Sequence, residues 1–263
     1  MEALLEVTML VLGLTGSFFS GLLGIGGAII NYPLLLFVPS NLGVASFTAQ
    51  EVSAISMFQV FFASLAGMLA YRKKQQSGSS SIHKGLVIYM GSSILFGSLI
   101  GGIGSNYISS QAINILYGVL AIAAVILMLI PNREEKKEER GELHFNRWIA
   151  VSSSFVVGIV SGIVGAGGAF ILIPLMLTVL KIPIRTTIAS SLAIVFISAV
   201  GGVAGKVSAG PIPLVPTLFV ILGSLIGAPL GSNISSRIHT GVLRYGLVIL
   251  IAATAVKIWS SVL

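Results

Sequence analysis

The sequence predicts an all-α polytopic membrane protein built from two homologous halves, and three observations carry that prediction. Of its 263 residues 55% are apolar and only 9% charged, with a mean hydropathy of +1.03; a soluble domain carries roughly a quarter charged residues. The apolar residues gather into eight blocks, most of them close to the ~20 residues that cross a ~30 Å hydrocarbon layer. One unusual stretch also occurs twice. It runs Ser20-Gly21-Leu22-Leu23-Gly24-Ile25-Gly26-Gly27-Ala28, with Pro33-Leu34 behind it. It recurs as Ser161-Gly162-Ile163-Val164-Gly165-Ala166-Gly167-Gly168-Ala169, with Pro174-Leu175 behind it.

The blocks span residues 7–38, 47–71, 85–103 and 112–130, then 149–180, 188–204, 212–230 and 242–262. Before the first stands Met-Glu-Ala-Leu-Leu-Glu, with no basic n-region and no small-residue cleavage site. It reads as a retained helix and not a signal peptide. The first and fifth blocks are too long for one crossing, because about 32 residues at ~1.5 Å each make a helix of ~48 Å. A break at the glycines, followed by a short returning helix, removes the excess. Each half is then a Gly-broken helical hairpin plus three transmembrane helices, about ten membrane legs in all. Residues 132–147 (NREEKKEERGELHFNR) form the one strongly charged segment. They read as a solvated linker between a first repeat, 1–131, and a second, 148–263.

The order of the matches argues for duplication. Gly97-Ser98-Leu99-Ile100-Gly101 recurs as Gly223-Ser224-Leu225-Ile226-Gly227, Gly104-Ser105-Asn106 as Gly231-Ser232-Asn233, and Tyr117-Gly118 as Tyr245-Gly246. Loop charges suggest that the copies are inverted repeats. With five legs per half, 13 of the 15 Lys and Arg residues fall on one side of the membrane; with four, 11 do. The positive-inside rule favours the former, with the N-terminus outside.

Composition removes most enzymatic chemistry. There is no cysteine and no aspartate, so disulfides and thiolate metal sites are unavailable. His83, His144 and His239 show no metal-ligand spacing. No phosphate-binding G-x-x-x-x-G-K-[ST] loop or G-x-S-x-G nucleophile element is present. The expectation is a protein that is not an enzyme and takes no cofactor or metal. Its +7 charge lies in loops and speaks to topology, not to a nucleic-acid partner.

Paired helix interruptions, one per half, point to a transporter's substrate site. Gly24, Gly26 and Gly27 let the backbone leave helical geometry, and a helix restarting near Ala28 presents unpaired N–H groups and a positive dipole end. Gly165, Gly167, Gly168 and Ala169 repeat the arrangement. Two such ends meeting at one depth would bind a small anion without a buried Lys or Arg. The competing explanation is that the glycines only permit close helix packing.

The doubled G-x-G-G-A run with its following Pro-Leu, in a basic eight-block chain, resembles the sulfite exporter TauE/SafE family over nearly the whole length. The family's third consecutive glycine is Ala28 and Ala169 here. Its Thr-Ser-Leu element is Ser190-Ser191-Leu192 in the second half but Gln50-Glu51-Val52 in the first. The resemblance implies a secondary transporter in a bacterial plasma membrane, moving sulfite, sulfonates or related small organic anions by alternating access. An anion channel, or a membrane scaffold without transport, would share these features.

Among polar groups in the apolar blocks, Asn31, Gln50, Ser190 and Ser191 are the candidate substrate contacts beside the glycine breaks, and Gln59 lies near the same centre. Glu51 is the only acid well inside an apolar run. It could couple transport to a proton or simply favour a helix N-terminus. Lys181 and Arg185 follow the second short helix, where they could draw anions toward an inner vestibule or simply be ordinary inner-loop charge. Lys206 is out of step with the topology and is expected to line an outer exit or snorkel to the interface. Trp148 and Trp259 suit interfacial anchoring. The expected partners are a small anionic substrate, the lipid bilayer and a proton, and a homodimer is compatible with the pattern.

Overall fold

The computed structural model describes residues 2–23, 28–75, 83–129 and 145–235, with scattered helical positions between 245 and 259. Its described helices are α1 (Glu2–Leu23), α2 (Ala28–Asn41), α3 (Ala49–Gln75), α4 (Lys84–Gly104) and α5 (Ser110–Leu129). The second half supplies α6 (Arg147–Val164), α7 (Ala169–Thr178), α8 (Ile184–Ala209) and α9 (Leu214–Ser235). A single 3-10 turn, Ser105–Tyr107, links α4 to α5. Seven of these helices are long and apolar enough to cross a membrane. The exceptions are α2 and α7, at 14 and 10 residues, or about 21 and 15 Å. Each long block therefore divides as its length requires. The linker over 132–144 and the break at Gly24, Ile25, Gly26 and Gly27 lie outside the described residues.

Local chemistry fixes the helix starts. Asn146 caps α6 by accepting from the backbone N–H groups of Trp148 and Ile149, and His83 caps α4 by accepting from Leu86 through Nδ1. At α3, Thr48 and Glu51 form a capping box. Thr48 N and Oγ1 donate to Glu51 Oε2 at 2.8 and 2.9 Å, and Glu51 N donates back to Thr48 Oγ1 at 3.3 Å. Outward faces carry large apolar residues such as Ile88, Phe96, Leu218 and Leu222, as a lipid-facing surface requires.

Glycine seams set the packing. In α4, a Cβ at Gly97 would stand 2.4 Å from Phe155 O, and one at Gly101 1.9 Å from Ile159 O. In α9, Cβ atoms at Gly223, Gly227 and Gly231 would stand 2.2, 2.2 and 1.9 Å from the carbonyls of Leu10, Leu14 and Phe18. Only glycine lets these backbones approach so closely, as small residues do between membrane helices. The repeated Gly-Ser-Leu-Ile-Gly element is therefore a seam, and it receives the first helix of the opposite half. The halves interlock: α6 lies on α4, and α1 lies on α9.

The same contacts give direction. Residues 10, 14 and 18 of α1 advance with 223, 227 and 231 of α9. Ser93, Gly97 and Gly101 of α4 advance with Val151, Phe155 and Ile159 of α6, and Leu95 and Leu99 with Gly201 and Gly205 of α8. Gln59 of α3 meets Gly13 and Ser17, while Gly67, one step along, meets Ser232 beside Gly21. Across the centre the sense reverses, with Met57 against Gly202, Phe61 against Phe196 and Gly67 against Leu192. So α1, α3 and α9 run one way and α4, α6 and α8 the other. Counterpart helices of the two halves run in opposite directions.

Candidate functional site

The second break can be followed atom by atom. Helix α6 ends at Gly165, whose left-handed backbone (φ 79°, ψ 24°) turns the chain, and whose N–H and that of Ala166 both donate to Ser161 O. Gly167 and Gly168 also take positive φ, 61° and 78°, which a residue with a side chain adopts only under strain. The chain then restarts as α7 at Ala169. A Cβ at Gly165 would lie 2.0 Å from Ser53 O, so the turn also rests directly on the α3 backbone. Gly167 faces Val60 and Val195, and Gly168 faces Ile94, Val157 and Ser161. The break is buried among α3, α4, α6 and α8, and its side-chain surroundings are mostly apolar.

Lys206 stands at the end of α6. It is 3% exposed and is the one charged side chain buried among the described residues. Its ammonium donates to Ser105 Oγ at 2.8 Å and to Ile163 O at 3.0 Å. Ser53 Oγ donates to that same carbonyl at 2.8 Å. The expected snorkelling is corrected here: the side chain turns inward, because the orphan carbonyl at the C-terminus of α6 attracts a cation. The Lys206 nitrogen thus sits on the last turn of α6, two residues before the glycine break begins at Gly165.

The other candidate residues separate into two groups. Gln50 and Ser190 do not come together. Gln50 Nε2 donates to Ile108 O at 2.9 Å and its Oε1 accepts from Ser110 Oγ, just beyond the C-terminal end of α4. Ser190 Oγ accepts from His83 N at 3.1 Å, at the other end of α4. The 21 residues of α4 put about 30 Å between those ends. Equivalent positions on antiparallel α3 and α8 necessarily lie at opposite ends of the molecule. Ser191, next to Ser190, donates to Ile188 O at 3.0 Å in its own helix. Glu51 shares the Gln50 end and is held in its capping box.

Asn31 belongs to the second group, and here the structure adds residues. It lies in the first turn of α2, 1% exposed, with its amide directly over Gly16 of α1; a Cβ there would stand 1.3 Å from Asn31 Oδ1. Gln59, fully buried on α3, reaches the same face of α1. Its Nε2 donates to Gly13 O at 3.2 Å and Ser17 Oγ at 3.0 Å. Both carboxamides therefore meet α1 within one turn. Neither Asn31 amide atom, nor Gln59 Oε1, Ser20 Oγ or Ser56 Oγ, has a hydrogen-bond partner among the described residues. The large majority of buried side-chain polar atoms are partnered, so the four such atoms of Asn31, Gln59 and Ser20 beside α1 mark a place that can receive a ligand. Sequence reasoning singled out Asn31 and noticed Gln59 only as a polar group near the centre. The signal for Gln59 was available: among the described residues it is the only carboxamide side chain in the interior of α3.

The profile of the family described as Sulfite exporter TauE/SafE matches residues 9–258. The chain belongs to the TauE/SafE family. A probable membrane transporter protein of Bacillus subtilis, YunE, is 26% identical over 250 residues, covering 89% of this chain and 90% of that protein. A probable membrane transporter protein of Methanocaldococcus jannaschii is 26% identical over 255 residues, with 89% and 88% covered. One of Xylella fastidiosa strain Temecula1 is 28% identical over 262 residues, with 95% and 93% covered. No solved structure matches. As a TauE/SafE member with seven helices long and apolar enough to span, the protein is a multi-pass membrane transporter of the plasma membrane.

Proposed function

We propose that this TauE/SafE protein is a secondary carrier for a small anion, namely sulfite, a sulfonate or a related organic anion. It works by alternating access around two broken helices set in an inverted-topology repeat. The observation that carries the reading is the second break, where a helix restarts in the buried interior behind three left-handed glycines, with a lone ammonium beside it. The positive helix end and the ammonium together favour an anion at that depth. The first half repeats the glycines in sequence, and its counterpart helices run the opposite way, an arrangement shared by many alternating-access carriers.

The reading is tested by anion flux into proteoliposomes. A carrier gives saturable uptake of sulfite or a sulfonate that is driven by, and stops with, its gradient. Flux linear in anion concentration supports a channel instead, and no flux with any anion supports a scaffold.

Lys206 offers a sharper check. Ser105 Oγ also donates to Gly102 O at 2.6 Å, and Ile163 O keeps the bond from Ser53, so Lys206→Met leaves its partners satisfied. Replacing a buried charge by a well-packed apolar side chain is often neutral or stabilising. The unfolding temperature of Lys206→Met is therefore expected to hold or rise. Anion uptake falls about tenfold, because the anion loses the positive charge and N–H donors that the ammonium brings to a low-dielectric site.

A further inference from the structure

The unpartnered atoms beside α1 are not a uniform set, and their chemistry restricts the ligand. Both N–H groups of Gln59 are committed, to Gly13 O and Ser17 Oγ. A main-chain carbonyl only accepts, so the orientation of the Gln59 amide is fixed. Its Oε1 is then an acceptor with no capacity to donate, fully buried and without a partner among the described residues. Asn31, on the same face of α1, presents one acceptor and one donor, and Ser20 adds a hydroxyl that serves as either. An oxyanion carrying only lone pairs would satisfy Asn31 Nδ2 and the hydroxyl but would set oxygen against oxygen at Gln59.

The arrangement is also confined to one half. Matching the repeated motif residue for residue places Leu172 opposite Asn31 and Val157 opposite Gly16, and the surroundings of the second break are correspondingly Val60, Val195, Ile94 and Val157. The second half keeps the turn and a cation; the first half holds the carboxamides.

We infer that the first hairpin, through Asn31 and Gln59, is a recognition site for anions that also carry a hydrogen-bond donor. Such a ligand is an oxyanion retaining its own acid proton, or a sulfonate or carboxylate with a hydroxyl on a neighbouring carbon. The anionic group takes the donors of Asn31 and Ser20, and the ligand's own O–H donates to Gln59 Oε1. This deepens the carrier reading and rests on it. It assigns selectivity to one half of a duplicated protein, and it excludes donor-free anions such as sulfate or ethanesulfonate from the preferred class. A site built to hydrogen-bond a hydroxyl discriminates strongly against an analogue lacking it, because its own buried group is then left unpaired.

The test uses the matched pair 2-hydroxyethanesulfonate and ethanesulfonate, measured by binding to purified protein and by uptake into proteoliposomes. The wild type is expected to prefer the hydroxyl-bearing sulfonate at least tenfold. Gln59→Met, which preserves volume, is expected to bring that preference below twofold, because the acceptor for the ligand's hydroxyl is gone. Asn31→Leu is expected to weaken both ligands together, because it removes a donor to the shared anionic group. Thermal unfolding of each variant in detergent identifies a misfolded one; if Gln59→Met unfolds, Gln59→Leu in a Ser17→Ala background, where the lost bond has no partner to strand, takes its place. Equal handling of the two sulfonates by the wild type, or a preference that survives Gln59→Met, overturns the inference and leaves the carrier reading intact. Absence of flux and binding with every anion tested overturns both.

Discussion

Gly101→Val and Gly227→Val are each expected to destroy the folded protein or to strip about 3 kcal/mol or more from it, the upper end of what overpacking a close-packed contact costs. The added Cβ would lie 1.9 Å from Ile159 O in the first case and 2.2 Å from Leu14 O in the second. The obstacle is backbone, not the end of a flexible side chain, so no rotamer change relieves it. Two long helices would have to separate, and with them α1 or α6 would lose the seam that joins the halves. The control is Gly104→Val, one turn beyond the α4 seam, where nothing stands within 4 Å of the new Cβ. Thermal unfolding and size-exclusion profiles in detergent are expected to show loss of the folded peak for the seam variants and little change for the control. Equal behaviour of all three would mean that α1 and α6 do not sit in those seams.

The second large effect is expected at the break. Gly167→Ala meets two separate penalties. Its φ of 61° costs an L-residue roughly 1–2 kcal/mol, and the new Cβ would stand 2.5 Å from Val60 Cγ1, adding about 1–3 kcal/mol of overpacking. The two can be separated. Val60→Ala in the same chain removes the steric part and leaves the backbone part, so the double variant recovers stability only in part. Transport is expected to stay low in both, because α7 can no longer restart from the same turn. Full recovery of stability and uptake in the double variant would show that the left-handed turn is dispensable.

Length, glycine spacing and repetition made most of the fold legible. A 32-residue apolar block cannot cross once, glycines mark where it breaks, and helices do restart at Ala28 and Ala169. Pairing between helices was not legible. The repeated Gly97–Gly101 and Gly223–Gly227 elements gave homology without a partner, because a seam reads the same whichever helix fills it. The close carbonyls of Phe155 and Leu14 supply the answer. Equivalence across the repeat misled for Gln50 and Ser190, because α3 and α8 are antiparallel and equivalent residues diverge. Glu51 had two readings in sequence, and the bonds from Thr48 give it a helix-start role. Gln59 needed the structure because its significance lies in which of its atoms is used: Nε2 is spent on α1 and Oε1 is not.

In an alternating-access carrier the hairpin site is reached from each side of the membrane in turn. The chain has no cysteine, so the single replacement Ser20→Cys reports without background in uniformly oriented vesicles. A membrane-impermeant thiol reagent is expected to modify it from either side, and a transported anion to slow the modification from both. Modification from one side only, unaffected by any anion, would contradict alternating access at this site.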